Sequence, residues 1–411
     1  MLSTRYSYVI LNTAISLIAF ARNLVFMRTL QIEDLAQVSL MQTLVMLIGF
    51  VQFGLLNGAY VTMAEKDARK DRQVTNLIWT GLGFLALVIG AGVAVGLAGL
   101  RPAVVAPQTL VLAGFAGTTT LASTFLNNAL IARGALKQAN TIGIVAVSVS
   151  FVLGLLSYPY GLFFALLALL SQPLLIALGA LIRIPDLRPS APVIERAATQ
   201  DLFRIGAPVF MGTFFLLLSY QVERWMIVYS LGETQLGQFY IVMMYMNFFV
   251  LLPASILNLH FPPALRALQA GSLVEFQRHA RRHLRDLLAF FLVAGTLTFL
   301  LLPWLLQIGF PQFRNETGLI FLAFPAMIFF VLRDTAALTF LATRRTRSFI
   351  ISAGVFFTVY AAELAILEAI GAFSLQRLII ARGVASVVAL LAALYLRRAA
   401  LVDAMGRKEV V

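Results

Sequence analysis

The chain has 411 residues, of which 60% are hydrophobic and only 12% charged, and its formal net charge is +13. A soluble domain is about half apolar and about one quarter charged, so this composition excludes an ordinary soluble fold and indicates helices that cross a membrane. The chain contains no cysteine, which excludes disulfide bonds, cysteine-based zinc sites and thiol nucleophiles.

Long apolar stretches, interrupted by charged or turn residues, predict twelve membrane-spanning segments. Each must be a helix, because lipid offers no partner to exposed backbone groups and the sequence lacks the alternation of a β-barrel. The first stretch continues through Arg22 and Asn23, so we interpret it as a span and not as a signal peptide. The predicted spans are residues 7–27, 36–62, 75–100, 104–131, 138–157, 160–183, 205–229, 236–260, 286–308, 317–341, 348–370 and 376–396.

The distribution of basic residues predicts the orientation of these spans. If the N-terminus is cytoplasmic and the spans alternate, most of the 31 Lys and Arg residues fall in the inside loops. This asymmetry is the positive-inside pattern, and it predicts that both termini are cytoplasmic. Because topology then accounts for the charge of +13, nothing is left to favour nucleic-acid binding.

An internal repeat predicts two lobes of six helices each, related by an axis along the membrane normal. An offset of 201 aligns residues 26–41 with residues 227–242 without a gap, and a weaker match joins residues 130–137 to residues 340–347. The predicted domains are an N-terminal lobe at 1–183, a cytoplasmic linker at 184–203, a C-terminal lobe at 204–397 and a cytoplasmic tail at 398–411.

Ionisable residues inside the spans are candidates for a functional site. A charge at the centre of a span costs about 2.5–3.5 kcal/mol on insertion scales, so such a residue pairs with another, lines water or binds a ligand. The offset of 201 places residues 22–23 on residues 223–224, and these charges would lie across a shared central cavity if the lobes face each other. Structural ion pairs and side chains that reach the membrane surface are the alternative interpretation.

The chemistry of these residues predicts an anionic ligand. Arginine suits a phosphate, because its planar fork donates two hydrogen bonds at once and does not lose its proton. Nearby carboxylates would neutralise the arginines or carry a coupling proton or sodium ion, and we expect no other cofactor. The predicted substrate-binding residues are Arg22, Asn23, Arg224 and Arg382, and the predicted coupling or charge-balancing residues are Glu223, Arg333, Asp334 and Glu363.

Residues 263–285 are predicted to form an amphipathic surface helix. His279 and His283 have a spacing on it that can bind a metal ion. Because arginines flank them and no acidic third ligand is evident, we interpret them as interfacial residues and predict no metal site. Elsewhere, Gly54 and Gly58 predict close helix contact or bending, and Pro208, Pro253 and Pro325 predict kinks in the seventh, eighth and tenth spans.

Two segments resemble Wzx-type polysaccharide flippases. The opening segment is Ala-Arg-Asn-Leu-Val-Phe-Met-Arg-Thr-Leu at 21–30, followed by Gln42 and by Phe-Gly-Leu at 53–55. The seventh and eighth spans match better, with Ser-Tyr-Gln-Val-Glu-Arg at 219–224 and Leu-Gly-Glu-Thr-Gln-Leu-Gly-Gln-Phe-Tyr at 231–240. The family usually has Asp at the position of Glu223, and Gln-Ile at 31–32 replaces a frequent Gly-Pro-like step.

This resemblance implies the fold of the multidrug/oligosaccharidyl-lipid/polysaccharide (MOP) exporters, an all-α integral membrane fold with twelve transmembrane helices in two bundles around a central cavity. It implies transfer of an undecaprenyl-diphosphate-linked oligosaccharide, such as an O-antigen unit of lipopolysaccharide, to the outer leaflet of a bacterial inner membrane. Among the charged residues that line the cavity in this family, the resemblance implies counterparts in this sequence only at Arg22, Glu223 and Arg224. The implied partners are this glycan, membrane lipids and a polysaccharide polymerase complex.

Three alternatives differ from this hypothesis. A drug or cation antiporter of the same fold would favour a cavity led by carboxylates. A lipid II flippase generally has two further helices, for which the chain has no room. A polysaccharide polymerase or ligase carries a large outer loop rich in Arg and His, whereas the predicted outer loops are short and His260, His279 and His283 fall on the inner side. No nucleophile–base pair or phosphate-binding loop is evident, so we predict that the protein is not an enzyme.

Overall fold

The computed structural model describes residues 4–64, 68–190, 192, 195–343 and 345–406. This part of the chain is helical apart from turns and connections, and it contains no β-strand. It divides into two compact units, Met1–Met211 (unit 1) and Gly212–Val411 (unit 2). Outside the described residues lie the end of the predicted tail and four basic residues that were predicted on the cytoplasmic side, namely Lys66, Arg344, Arg407 and Lys408.

Unit 1 is built from eight helices and the first part of a ninth. A π-helical turn, Gly96–Leu100, extends the fourth helix, and a 3-10 turn, Pro185–Leu187, follows the eighth. Helix α5 packs against α2 and α8, and α6 packs against α1 and α8. These helices are α1 Thr4–Thr29, α2 Ile32–Phe50, α3 Leu55–Ala64, α4 Ala68–Val95, α5 Pro107–Ala132, α6 Leu136–Leu155, α7 Ser157–Tyr160 and α8 Leu162–Arg183.

Unit 2 begins inside the ninth helix. A 3-10 turn, Pro311–Glu316, follows the eleventh helix. Helices α12 and α14 both pack against α15, and α10 packs against α11. The helices are α9 Arg196–Leu231, α10 Glu233–Gln269, α11 Leu273–Gly309, α12 Thr317–Leu332, α13 Asp334–Ala342, α14 Thr346–Ala369 and α15 Leu375–Gly406.

Helices occur at every predicted span, and two of the spans are interrupted. The second is divided between α2 and α3, and the tenth between α12 and α13. Among the described residues, nine helices are long and apolar enough to cross a membrane, or ten if the bent pair Arg196–Pro208 and Phe210–Leu231 is one span. The chain is therefore a multi-pass membrane protein. The total of twelve spans, the lobe boundaries and the cytoplasmic position of both termini stay predictions.

The break in the second span lets two backbones approach closely. Phe53 and Gly54 have positive φ angles of 45° and 91°, which interrupt the helix between α2 and α3. A Cβ atom on Gly58 would overlap the backbone of Leu202 at the start of α9, and one on Gly206 would overlap the backbone of Gly54. The predicted close helix contact at Gly54 and Gly58 is confirmed.

The predicted kink at Pro208 is also confirmed. The axes of Arg196–Pro208 and Phe210–Leu231 differ by 61° within α9. Proline bends a helix because its ring displaces the carbonyl of the preceding turn and it donates no backbone hydrogen bond.

The predicted single surface helix at 263–285 is wrong. Gly271, with a φ of 82°, adopts the left-handed conformation that ends α10. Ser272 then caps α11 by accepting a hydrogen bond from the backbone N–H of Glu275, at 3.3 Å. The Ser-x-x-Glu sequence at 272–275 is a helix-start signal.

Candidate functional site

Arg22 connects three helices of unit 1. Its Nη1 donates to Ser150 Oγ on α6, at 2.5 Å, and to Gln172 Oε1 on α8, at 2.9 Å. The guanidinium carbon lies 5.9 Å from the centre of the Phe26 ring, one turn further along α1. The side chain is buried, so this arginine faces the interior of unit 1 and not lipid.

Asn23, the second predicted binding residue in α1, is half-buried. Its Oδ1 is buried and accepts no hydrogen bond from the described residues. The hydrogen bonds described above join Arg22, and not Asn23, to α6 and α8.

A cavity of about 290 Å³ lies next to the Arg22 contacts. Gln172, which accepts the hydrogen bond from Arg22, is one of its lining residues. A second cavity, of about 190 Å³, shares Ser123 and Ile176 with the first. The remaining residues of the larger cavity come from α2, α5 and α8, and they are Met41, Gln42, Val45, Ala116, Thr120, Leu169 and Pro173.

In unit 2, Glu223 on α9 forms an ion pair with Arg382 on α15. Both side chains are buried, with exposed fractions of 1% and 0%. The guanidinium carbon of Arg382 lies 4.5 Å from the centre of the Tyr220 ring and 5.4 Å from that of Tyr360. Two aromatic faces and one carboxylate therefore surround this cation, an arrangement that stabilises it away from water.

Arg224 follows Glu223 on α9 and is also buried. Its Nε donates to the Sδ atom of Met243 on α10, at 3.3 Å. The two adjacent charges of α9 therefore contact different helices, because consecutive residues of a helix point about 100° apart.

Arg333 lies at the break between α12 and α13. Its Nη2 is 3.8 Å from Asp334 Oδ1, and its guanidinium carbon is 4.9 Å from the centre of the Phe330 ring. Glu363, on α14, is half-buried, and its Oε2 has no hydrogen-bond partner among the described residues. Glu368, near the end of the same helix, accepts a hydrogen bond from Ser230, at 2.6 Å.

The two units place charge at related positions but with opposite sign. At the repeat offset of 201, Arg22 on the first helix of unit 1 corresponds to Glu223 on α9. Each of the two contacts the last membrane helix of its unit, where Gln172 and Arg382 are the partners. In unit 1 the first helix carries the cation, Arg22, and the last carries the amide of Gln172. In unit 2 the first helix carries the anion, Glu223, and the last carries the cation, Arg382.

The weaker of the two internal sequence matches relates the partners of Arg22 to residues of the corresponding arrangement in unit 2. The offset of 210, which joins residues 130–137 to residues 340–347, also places Gln172 on Arg382 and Ser150 on Tyr360. Ser150 contacts Arg22, and Tyr360 contacts Arg382. The two internal arrangements are therefore related by the same two offsets that the sequence shows.

The charged residues of these arrangements are among those predicted from the sequence, whereas their uncharged partners are not. Ser150, Gln172 and Tyr360 were not predicted. The signal for Gln172 is its position before Pro173 in an otherwise apolar helix. The prediction that Arg22, Glu223 and Arg224 lie across a shared central cavity stays a prediction.

No family model and no curated protein matches this chain. Solved structures do match over nearly the whole length, each at 14% identity. An inward-facing multidrug resistance MATE family transporter of the MOP superfamily has a TM-score of 0.71 and covers 93% of this chain and 94% of its own. The outward-facing form of such a transporter has a TM-score of 0.64, with 97% and 94% covered.

A MOP superfamily transporter from Pyrococcus furiosus Vc1 (DSM3638) also matches, with a TM-score of 0.64 and coverage of 97% and 94%. The reverse polarity of its binding pocket suggests a different function for that protein. At 14% identity these likenesses show the fold alone. The chain has the fold of the MOP superfamily transporters, and the matched proteins named above are transporters.

Proposed function

We propose that this protein is a flippase of a bacterial inner membrane. It moves an undecaprenyl-diphosphate-linked oligosaccharide repeat unit from the inner to the outer leaflet by alternating access, coupled to a proton or sodium ion. The transporter fold supports a transport function, and the resemblance at 21–30 and 219–240 supports this cargo. A polysaccharide polymerase complex would receive the translocated unit.

One observation carries the proposal. Among the described side chains, Arg22, Arg224, Arg333 and Arg382 are buried, whereas Glu223 is the one buried carboxylate. A transporter for cations gains affinity from buried carboxylates, and an excess of buried guanidinium groups opposes a cationic cargo. The same excess attracts a diphosphate, whose oxygens accept paired hydrogen bonds from arginine.

The proposed roles within unit 1 follow from the larger cavity. Gln172 lines it and holds Arg22 at its edge, so these two residues would bind a phosphate or a sugar hydroxyl. Gln42, Thr120 and Ser123 add polar groups suited to sugar hydroxyls. Because drug-sized ligands occupy pockets of about 300–1,000 Å³, this cavity suits one monosaccharide-sized part of the cargo.

The proposed roles in unit 2 differ from the first prediction for Arg382. Its ion pair with Glu223 and its two aromatic neighbours favour a charge-balancing role for both residues. Arg224 keeps the substrate-binding role. Glu363, whose buried oxygen has no hydrogen-bond partner among the described residues, is the proposed coupling carboxylate, and Asp334 balances Arg333.

The experiment compares lipid-linked intermediates in a strain that lacks the gene. Wild type should relieve the accumulation of an undecaprenyl-diphosphate repeat unit, as measured by mass spectrometry. Arg22→Gln and Arg224→Gln should fail to relieve it at equal protein levels, because both remove a buried cation. Arg314→Gln, which removes an exposed cation, is the matched control and should behave as wild type. Unchanged lipid pools in the deletion strain would refute the flippase.

A second candidate function is a drug or cation antiporter. It is favoured by the likeness to a multidrug resistance MATE family transporter, at a TM-score of 0.71. The buried oxygen of Glu363 would then carry the exchanged proton. New sensitivity of the deletion strain to cationic drugs, with unchanged lipid pools, would establish this function in place of the flippase.

A further inference from the structure

Four arginines line one face of the first turns of α11. Three of them, Arg281, Arg282 and Arg285, follow Arg278 by three, four and seven residues. This spacing places all four on one face of the helix. All four are exposed. Together with Val274 and Gln277 they border a concave region of about 480 Å³.

The opposite face of the same turns is buried in unit 2. Phe276, Ala280, His283 and Leu287 recur at intervals of four, three and four residues, and all four are buried. At about 100° per residue, this buried face lies diametrically opposite the arginines. The arginines therefore point away from the body of unit 2, and they are separate from the buried charges of the candidate site.

The arginine face continues into an exposed apolar face. Seven-residue steps lead from Arg278 to Arg285, Leu292 and Phe299, positions that remain on nearly the same side of the helix. Leu292 is 73% exposed and Phe299 is 48% exposed, and Leu288 beside them is 48% exposed. From Arg285 to Phe299 the helix rises about 21 Å, which is comparable to the length of an acyl chain.

We propose that this face of α11 is a binding site for an anionic glycerophospholipid. The lipid phosphate lies in the arginine-lined concavity, and its acyl chain lies along Leu288, Leu292 and Phe299. Charge complementarity identifies the headgroup, because guanidinium groups donate paired hydrogen bonds to phosphate. The apolar face that continues from the arginines identifies a lipid, since a nucleic acid or an acidic peptide would leave it without a partner.

The arginine face of α11 keeps a net positive charge even though one of its arginines forms an ion pair. Asp286 accepts from Arg285 Nη2, at 2.9 Å, and no other ion pair of these four arginines occurs within the described part of the chain. The positive-inside distribution predicts that this end of α11 lies at the cytoplasmic leaflet, whose anionic lipids attract basic segments. The proposal goes beyond the flippase hypothesis and holds for any cargo.

The test is lipid selectivity of the purified full-length protein. Wild type is reconstituted with equal amounts of phosphatidylglycerol and phosphatidylcholine, and retained lipids are counted by native mass spectrometry. We expect a preference for phosphatidylglycerol of roughly tenfold, because its headgroup has a net negative charge, whereas the choline cation of phosphatidylcholine is repelled by the guanidinium groups. Changing the four arginines to glutamine should reduce this preference to about twofold or less. Equal retention of the two lipids by wild type would overturn the proposal.

The matched control removes the same charge elsewhere. Arg183, Arg196, Arg204 and Arg347 are exposed arginines of other segments, and their combined change to glutamine should keep the preference. If this control loses selectivity as fully as the α11 variant, net charge and not a site explains the binding. Because all eight arginines are exposed, both variants should melt within a few degrees of wild type.

A third measurement distinguishes a phospholipid from a prenyl diphosphate. Undecaprenyl diphosphate is added to wild type that has retained phosphatidylglycerol. We expect the protein to retain phosphatidylglycerol when an equimolar amount of the prenyl diphosphate is present. Its complete displacement from wild type, together with binding of the prenyl diphosphate that is lost in the α11 variant, would show that this face receives the prenyl lipid and would overturn the assignment to a glycerophospholipid.

Discussion

The Glu223–Arg382 ion pair should control the stability of unit 2. Glu223→Gln preserves the shape of the side chain but leaves the guanidinium of Arg382 in the interior without its carboxylate. Removing one partner of a buried pair costs about 3–5 kcal/mol. The rings of Tyr220 and Tyr360 contact the cation both before and after the substitution, so they leave this cost unchanged and its lower end, about 3 kcal/mol, is the smallest loss expected.

A loss of at least about 3 kcal/mol is therefore expected. Unit 2 has about 200 residues, and for this size 1 kcal/mol shifts the melting temperature by roughly 2–4 °C. The melting temperature of Glu223→Gln in detergent, followed by intrinsic fluorescence, should fall by roughly 6–12 °C or more. Arg314→Gln, at an exposed position, should change it by no more than about 2 °C.

A double variant tests whether the two residues act as a pair. Arg382→Met alone leaves Glu223 buried without its cation, and it should cost about as much as Glu223→Gln. The combined variant Glu223→Gln, Arg382→Met removes both charges and should recover most of the loss, because a polar pair replaced by neutral groups is often tolerated. If the two losses simply add in the double variant, the ion pair does not couple the helices and the reasoning is refuted.

Three further predictions follow from packing and hydrogen bonding. Gly58→Leu should prevent folding, because a side chain there overlaps the backbone of Leu202, whereas Gly83→Leu, with open space around it, should be monodisperse in detergent chromatography. Gln172→Leu should lower complementation in the lipid assay at least tenfold with normal protein levels, and an unchanged activity would exclude the unit 1 cavity from binding. Ser272→Ala should destabilise the protein by about 0.5–2 kcal/mol in thermal melts, and no change would show that this cap does not hold the start of α11.

The sequence predicted helices at all twelve proposed spans because the membrane limits the choices. An apolar stretch of about 20 residues must satisfy its own backbone inside lipid, so hydropathy alone identifies it as a helix. Charged residues within such stretches, among them Arg22, Glu223 and Arg382, stand out for the same reason. Their identification therefore needed no tertiary information.

Local backbone geometry and the uncharged partners of the buried charges could not be predicted from the sequence pattern. The prediction of one surface helix at 263–285 is wrong because Gly271 adopts a left-handed conformation that separates α10 from α11. Ser150, Gln172 and Tyr360 escaped notice because uncharged polar residues are tolerated in spans without a functional reason.

Which buried charges meet was decided by tertiary structure alone. Arg22 and its two partners are 128 and 150 residues apart, and Glu223 and Arg382 are 159 apart. Hydropathy records how deeply a residue prefers to lie, but it holds no information on which helix packs beside it. The packing of α1 against α6 and of α9 near α15 depends on side-chain shape along each helix. In this packing Arg382, a predicted binding residue, pairs with the carboxylate of Glu223, and Arg22 lies beside a cavity.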